Sequence, residues 1–194
     1  MFGTQTYNLK PDIITVAKAL SSAYLPIAAV MISEPIYQAM VHQSEKIGTF
    51  GHGYTYSGHP VAAAVALETL KIYQERDIVG HVRSVAPHLQ DGLRRFTDHP
   101  LVGEVRGVGL IAGVEIVADK AARTPFDPKL AIGGHVARFA QEHGLIVRAM
   151  GDSIGFSPPL IISSAELDDL VTRFGKALDD AVGFVTDRGL AADV

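Results

Sequence analysis

One lysine stands where its side chain could form a covalent bond with an aldehyde. Lys18 lies between two segments that have the composition of short buried strands, residues 13–16 and residues 27–32. An amine packed between such strands loses its hydration, and the neutral amine that desolvation favours is a nucleophile that forms a Schiff base with an aldehyde. The alternative is an ordinary lysine at a strand end, whose stem packs on apolar surface while its ammonium group reaches water. Residue type and burial alone favour this alternative, because buried lysines are rare.

One arginine has the setting of a carboxylate ligand. Arg148 follows the apolar residues 145–147, and we expect it to close a strand there. In that position its stem packs against the core and leaves the guanidinium free to bind a carboxylate through two hydrogen bonds. The alternative is a surface ion pair with Asp152, which comes shortly after it in the sequence.

A polar loop at residues 51–60 could bind a phosphate group. Its sequence, GHGYTYSGHP, combines glycines with accessible backbone N–H groups and the hydroxyl group of Thr55, and its proline suits the first turn of a helix. Such donors at a helix entrance suit an anion. The alternative is an ordinary polar turn before a helix. His52 and His59 have no third ligand beside them in this loop, so we do not predict a metal site.

The composition of the 194-residue chain narrows the classes of function. It is 47% hydrophobic and 20% charged, which is typical of a globular protein with a hydrophobic core, and its net charge of -4 does not indicate binding to nucleic acid or to an anionic membrane. The chain has no cysteine, which excludes disulfides, thiol catalysis and cysteine metal sites. The sequence shows no membrane-spanning segment and no signal peptide at its start. We therefore expect a cytoplasmic protein.

Three segments resemble, in the same order, motifs of the class III aminotransferases, which are fold-type I enzymes that depend on pyridoxal 5'-phosphate (PLP). These segments are KPDIITVAKAL at residues 10–20, the loop at residues 51–60 and LIVRAMGD at residues 145–152. The resemblance extends from about Phe2 to Val185 and is nearest to the ω-amino acid–pyruvate transaminases. In that family the lysine segment lies past the middle of the chain. We therefore expect this chain to correspond to the carboxyl-terminal part of such an enzyme.

The resemblance implies a role for each of these segments. Lys18 matches the lysine that holds PLP as an internal aldimine and then carries a proton between substrate and cofactor. Tyr54 and Thr55 match the pair that reaches the PLP phosphate of the partner subunit, which implies a homodimer with shared active sites. Arg148 matches the arginine that binds the α-carboxylate of the substrate and swings aside for an uncharged amine. The family's residues that pair with the pyridine nitrogen, stack on the ring and form the Gly/Ser phosphate turn have no counterpart that we can name here.

The elements that carry these residues indicate an α/β region followed by an α+β region. The resemblance assigns residues 1–98 to the end of the large PLP-binding domain and residues 99–194 to the small carboxyl-terminal domain. Apolar periodicity and turn residues predict strands at residues 13–16, 27–32, 102–107, 110–117, 145–148 and 153–156. Prolines, glycines and apolar spacing predict five helices. The first begins at residues 34–35, the next three span residues 60–75, 77–96 and 133–143, and the last follows Ser163.

Two local signals in these helices can be checked directly. Pro87 falls inside the apolar pattern of residues 77–96 and is expected to kink or divide that helix. Ser163 and Glu166 form the sequence pattern of a capping box at the start of the last helix. The predicted core face of that helix consists of Leu167, Leu170, Val171, Phe174, Leu178 and Ala181.

The predicted function is a PLP-dependent transaminase that moves an amino group between an amine or amino acid and a keto acid such as pyruvate. Two alternatives stay open. A PLP-dependent aminomutase or decarboxylase would share the lysine and the fold, and a non-catalytic remnant would only dimerise or bind the cofactor. Because the family's residues that pair with the pyridine nitrogen are not found, we expect this chain alone to have little or no transaminase activity.

Overall fold

Helices and one pair of strands make up the first part of the structure. The computed structural model describes residues 1–190, and the chain divides between Val79 and Gly80 into two units. The elements of the first unit are α1 at Gly3–Thr6, β1 at Ile13–Val16, β2 at Ala29–Ile32, α2 at Glu34–Ile47 and α3 at Pro60–Glu75.

The strands β1 and β2 form an antiparallel pair, in which Ile13 lies opposite Ile32 and Val16 opposite Ala29. No other strand pairs with either of them within residues 1–190. The expectation that both strands are buried is wrong for this chain, since Ile13 is 55% exposed and Val30 is 65% exposed. Continuous apolar and β-branched residues are typical of strands covered on both faces, and a two-stranded sheet cannot provide that cover.

Two prolines start the longer helices of the first unit where the sequence predicts them. Pro35 lies in the first turn of α2, and Pro60 is the first residue of α3. Proline suits this position because its φ angle is already helical and the first turn has no use for its missing N–H group. The small residues Ala62 and Ala66 on α3 are buried, as their size permits.

The second unit is an antiparallel sheet with helices packed on it, which is an α+β arrangement. Its elements are α4 at Ile78–Arg94 (which begins before the division), β3 at Val102–Val108, β4 at Ile111–Ile116, α5 at Ile132–Glu142, β5 at Arg148–Met150, β6 at Ser153–Phe156 and α6 at Ser164–Thr186. The strand order is β3-β4-β6-β5. The division at Gly80 comes earlier than the expected domain boundary at residue 98. The last residues of the expected small domain, 191–194, lie outside the described part of the chain.

The core of the second unit lies between its sheet and α6. All six residues of the predicted α6 face are buried, which confirms that prediction. Phe174 is fully buried, and its ring meets those of Phe96 and Phe156 edge to face at centroid distances of 5.6 and 4.9 Å. The predicted capping box is also present, because the Ser163 hydroxyl accepts from the Glu166 N–H and the Glu166 carboxylate accepts from Ser163. The two hydrogen bonds that Ser163 donates lower the pKa of Glu166, and the bond from its hydroxyl group has a larger effect than the bond from its N–H group.

The helix α4 passes through Pro87 without a break. Its apolar face, with Val85, Leu89 and Leu93 buried, follows the predicted spacing. A proline inside a helix removes one backbone hydrogen bond, and burial of this face on both sides of Pro87 compensates for that loss. Of the two outcomes expected for Pro87, a kink or a division of the helix, division is wrong, because α4 continues to Arg94 before a 3-10 turn at Arg95–Asp98.

Candidate active site

Lys18 lies in a tight turn that follows β1. A 3-10 helix at Lys18–Leu20 begins two residues after the end of the strand. The backbone of Lys18 has a φ angle of 50°, in the left-handed region that residues other than glycine rarely adopt. Its carbonyl oxygen accepts hydrogen bonds from the N–H groups of Ser21 and Ala23, both at 3.3 Å. The side chain of Lys18 therefore leaves the backbone in a direction that a regular strand or helix does not provide.

The segment just after Lys18 is strained as well. Ser22 and Ala23 also have positive φ angles, of 50° and 63°. The side chain of Ser21 is buried and donates a hydrogen bond to the carbonyl oxygen of Leu25 at 2.6 Å. Left-handed residues other than glycine cost free energy, and they persist only where surrounding contacts hold them. Such backbone strain clusters at active sites and ligand-binding segments, so this turn is a candidate for function on geometric grounds.

The side chain of Lys18 is exposed to solvent. The expectation that neighbouring strands desolvate it is wrong for this chain, because β1 and β2 are themselves exposed. Within residues 1–190, the Lys18 amino group forms no hydrogen bond or ion pair. The amine is therefore accessible to an aldehyde from solution.

The predicted phosphate loop is an exposed turn ahead of α3. The N–H group of Tyr54 donates to the Ser57 hydroxyl at 3.0 Å, and the Ser57 N–H donates back to the Tyr54 carbonyl at 2.9 Å. This pair closes a short turn that contains Thr55, whose side chain is exposed. The ring of Tyr54 is also exposed, at 80%. The hydroxyl group of Thr55 is thus presented to the surroundings, as a phosphate ligand requires.

A cleft of about 590 Å³ runs between this loop and β2. Its lining includes Tyr54 and His59 from the loop, Ala29 and Val30 from β2, and Ala62 from α3. It is lined by aromatic rings on one side and small apolar groups on the other. In the part of the chain that the structure describes, no three His, Asp or Glu side chains gather as a metal site.

The helix α3 connects the loop to the lysine turn. The loop enters α3 at Pro60, and near the other end of the helix the Tyr73 hydroxyl donates to the carbonyl oxygen of Ala19 at 2.9 Å. A rise of 1.5 Å per residue places the Cα atoms of Pro60 and Tyr73 about 20 Å apart. The loop and the lysine turn are therefore attached to opposite ends of one helix. Sequence patterns gave no sign of the Tyr73 contact, because it joins residues 54 positions apart.

Arg148 begins a strand instead of ending one. We expected a strand at residues 145–148, but β5 is Arg148–Met150, with residues 145–147 outside it. Ala149 packs against the core of the second unit, whereas Arg148 and Met150 on either side of it are exposed. The prediction that the guanidinium stays free agrees with the geometry, since Arg148 forms no ion pair within the described residues.

The alternative partner of Arg148 is engaged elsewhere. The Asp152 carboxylate accepts a hydrogen bond at 2.7 Å from the N–H group of Gly133, in the first turn of α5. A carboxylate at this position satisfies a free helix N–H group and interacts favourably with the helix dipole. The ion pair between Arg148 and Asp152 that the sequence left open is therefore absent. Asp152 instead fixes the β5–β6 turn, next to Arg148, to the start of α5.

A second arginine lies on the same outward face of the sheet. The strand register aligns Arg106, Gly113, Gly155 and Arg148 in one row across β3, β4, β6 and β5.

The Arg106 guanidinium donates to Glu115 at 2.8 Å, and to Glu104 and Ser153 at 3.1 Å each. The hydrogen bond with Glu115 is the largest cause of a raised pKa of Arg106. Two carboxylates thus neutralise Arg106 but not Arg148. The sequence motifs described above do not include this network, although opposite charges on paired strands could have indicated it.

Replacing Gly133 with alanine is expected to destabilise the second unit by about 1–3 kcal/mol. A Cβ atom at this position would overlap the carbonyl oxygen of Gly151 and crowd the backbone of Asp152. Gly134→Ala is the matched control, because a Cβ atom there meets only the Ala131 side chain, at 4.0 Å. Alanine at 134 should leave stability unchanged or raise it by up to about 1 kcal/mol. Urea unfolding followed by circular dichroism measures both; equal losses for the two variants would contradict the close contact.

Residues 1–178 match the family described as aminotransferase class-III. The chain belongs to the class III aminotransferases. The resemblance first drawn from three short segments is thereby confirmed over most of the chain.

Relatives with solved structures or curated names agree with this family. The gamma aminobutyrate transaminase 3, chloroplastic, of Solanum lycopersicum is 51% identical over 180 residues, which are 93% of this chain and 35% of that protein. The vanillin aminotransferase of Capsicum frutescens is 48% identical over 180 residues, 93% of this chain and 39% of that one. The ω-transaminase from Pseudomonas jessenii in complex with PMP superposes with a TM-score of 0.90 at 49% identity, over 96% of this chain and 41% of that chain. The expected fold-type I architecture is confirmed. This class III chain spans about two fifths of the length of these relatives.

The class III family implies PLP, and the residues present fit part of a site for it. Lys18 offers an accessible amine on a strained turn, and Thr55 offers an exposed hydroxyl in a glycine-containing loop at a helix entrance. Arg148 offers a guanidinium without a carboxylate partner among residues 1–190. Lys18, Tyr54 and Thr55 belong to the first unit, and Arg148 belongs to the second.

Proposed function

We propose that this chain supplies part of the active site of a PLP-dependent transaminase, which moves an amino group between an amine or amino acid and a keto acid such as pyruvate. The observation that carries the proposal is the turn at Lys18, an accessible amine on a left-handed backbone directly after β1. Strained backbone of this kind concentrates at functional sites, and a lysine amine is the group that holds an aldehyde cofactor. Membership of the class III aminotransferases indicates the type of reaction.

The proposed role of Lys18 has two parts. Its Nζ atom holds the cofactor, and after release the same atom takes a proton from the substrate carbon and returns one. When bound, PLP supplies the electron sink for this chemistry. The turn suits both holding the cofactor and transferring the proton. Hydrogen bonds to the Lys18 carbonyl fix its backbone, and the rotatable bonds of its side chain still allow Nζ to move.

We propose that Tyr54 and Thr55 serve the cofactor of a second copy of this chain. The loop matches the family segment that reaches the cofactor of the partner subunit, which favours a homodimer in which the loop of one subunit completes the site of the other. The exposure of Tyr54 and Thr55 supports this arrangement, because both side chains are available to a partner.

We propose that Arg148 binds the carboxylate of the amino acid or keto acid. Its guanidinium lies on the outward face of the sheet with no ion pair among the described residues. Arg106 on the same face already has Glu104 and Glu115 as partners, so a substrate carboxylate would have to compete with them there. A planar guanidinium binds a carboxylate through two parallel hydrogen bonds, which gives the site both strength and orientation.

A second candidate is a non-catalytic piece that dimerises or binds the cofactor. Two observations favour it: the chain spans 35% of the length of the gamma aminobutyrate transaminase 3 that it matches, and the apolar strands β1 and β2 are exposed. Turnover of an amine with pyruvate by the purified chain would contradict this candidate. A PLP-dependent aminomutase or decarboxylase would use the same lysine, and no contact in the structure favours it over transamination.

The cytoplasm remains the proposed location. Within residues 1–190, no helix combines the length and the apolar composition that a membrane span needs. One relative from Solanum lycopersicum is named as a chloroplastic protein and another as a mitochondrial one. Recovery of this chain in an organelle fraction would contradict the proposal.

The test of the proposed function is covalent labelling of Lys18. The chain is incubated with PLP at equal concentration, reduced with sodium borohydride and digested for peptide mapping. We expect the reduced label mainly on Lys18, because its amine is accessible and its turn is preorganised. Lys10, which is exposed in the same unit, is the internal control. Label spread evenly over all seven lysines would overturn the proposed role of Lys18.

A further inference from the structure

Tyr73 makes a contact that the proposed chemistry does not yet use. Its hydroxyl group donates at 2.9 Å to the carbonyl oxygen of Ala19, the residue after Lys18. Its ring is half-buried and borders a small cavity of about 230 Å³, together with Leu20 of the lysine turn and Leu70 of α3. The ring therefore packs against the turn, and the hydroxyl group adds a directed bond to its backbone.

The carbonyl oxygen of Ala19 lies in the centre of the strained segment. It also accepts a hydrogen bond from the N–H group of Ser22 at 3.2 Å, while the Lys18 carbonyl accepts from Ser21 and Ala23. These backbone bonds lie inside the turn and move with it. The bond from Tyr73 comes from a long helix, so it holds the turn against a rigid element outside it. A left-handed residue such as Lys18 persists only when its surroundings fix it in this way.

We propose that Tyr73 is a positioning residue, whose hydroxyl group holds the Lys18 turn in its left-handed form and so directs the Lys18 amine. The inference rests on the proposed function of Lys18. Because α3 begins at the loop that contains Thr55, Tyr73 also sets the orientation of the lysine turn relative to this helix. The hydroxyl group is the active part, since phenylalanine would keep the ring packing and lose only the bond to Ala19.

The first measurement needs no cofactor. In the whole chain, Tyr73→Phe is expected to speed amide hydrogen exchange at residues 20–23 about threefold to tenfold, because one hydrogen bond that stabilises the turn is lost. Exchange in β3 and β4 should stay unchanged. Tyr37→Phe is the matched control, because Tyr37 lies exposed on α2 and its hydroxyl forms no hydrogen bond among residues 1–190. Unchanged exchange at residues 20–23 in Tyr73→Phe would overturn the inference.

The second measurement separates positioning from general stability. Labelling with PLP and borohydride is repeated on both variants, and the share of label on Lys18 is compared with that on the other six lysines. Under conditions in which both variants are fully folded, Tyr73→Phe should lower the Lys18 share about threefold to tenfold, whereas Tyr37→Phe should leave it as it is. An unchanged Lys18 share in Tyr73→Phe would overturn the positioning role and leave the proposed function standing. A chain without any Lys18 preference before substitution would overturn the proposed function, and the positioning role with it.

Discussion

Replacing Lys18 with alanine is expected to abolish transamination in a complete enzyme that contains this chain. A suitable host is the ω-transaminase from Pseudomonas jessenii, with its matching segment exchanged for this chain, since the two are 49% identical and superpose with a TM-score of 0.90. General acid–base groups contribute about 10²–10⁴-fold to rates, and Lys18 is proposed both to carry the proton and to hold the cofactor. We therefore expect a loss of at least about 10³-fold in kcat.

Two further variants make this test specific. Lys18→Arg keeps a positive charge but cannot offer a neutral amine, because a guanidinium stays protonated, so it should be as inactive as Lys18→Ala. Lys10→Ala removes an exposed lysine from the same unit and should keep full activity. Substantial turnover by Lys18→Ala would mean that another amine holds the cofactor, and the central proposal would fail.

In the same host, Arg148→Ala is expected to damage reactions of carboxylate substrates selectively. The half-reaction with alanine or pyruvate should lose roughly 2–3 kcal/mol of binding, or about 30- to 100-fold in kcat/KM, because a charge-assisted pair of hydrogen bonds is lost. The half-reaction with an amine that lacks a carboxylate should change little. Arg148→Lys should recover only part of the loss, since an ammonium group cannot reproduce the planar fork. Stopped-flow absorbance of each half-reaction measures the two separately.

Arg106 offers a matched control on the same face of the sheet. It lies in one row with Arg148, but Glu104 and Glu115 already neutralise it. Arg106→Ala should therefore affect both kinds of substrate equally, through stability alone. Equal losses for both kinds of substrate in Arg148→Ala would show that Arg148 is structural.

Sequence patterns predicted those features whose cause is local. Pro60 starts α3 because proline suits a first helical turn, and Ser163 with Glu166 starts α6 because two side chains three residues apart satisfy each other's backbone groups. The buried face of α6 follows from helical spacing alone. In each case the residues that interact are also near neighbours in the chain, so their types and spacing carry the information.

Features that depend on distant parts of the chain could not be predicted in this way. The composition of β1 and β2 indicates full burial, but burial depends on what lies beside a strand, and within residues 1–190 no third strand joins them. The desolvation of Lys18 was inferred from the burial of those strands, so this prediction was wrong for the same reason. The left-handed φ angle of Lys18 and its support by Tyr73 gave no sequence signal, since neither residue belongs to a type that favours such a turn.

The start of β5 shows a different limit of sequence patterns. The apolar run at residues 145–147 has the composition of a strand, yet pairing begins only at Arg148, opposite Gly155. Register depends on the two-residue turn at Gly151 and Asp152, which Asp152 anchors to α5. A hydrogen bond between a side chain and the N–H group of a separate helix does not produce a periodic pattern in the sequence. Arg148 itself lies on the outward side of the sheet, where its guanidinium forms no ion pair among residues 1–190.

The exposed pair β1 and β2 has a consequence for how this polypeptide behaves in solution. Each strand has one edge that no other strand pairs with among residues 1–190, and the side chains beside those edges, such as Val30 and Met31, are apolar. Natural proteins protect such edges with charges, prolines or a covering element, because an open apolar edge is a template on which further strands can add. Neither strand contains a charged residue or a proline. Enclosing this ribbon inside a larger sheet would therefore do more than position Lys18: it would also cover a surface of the first unit that is prone to aggregation.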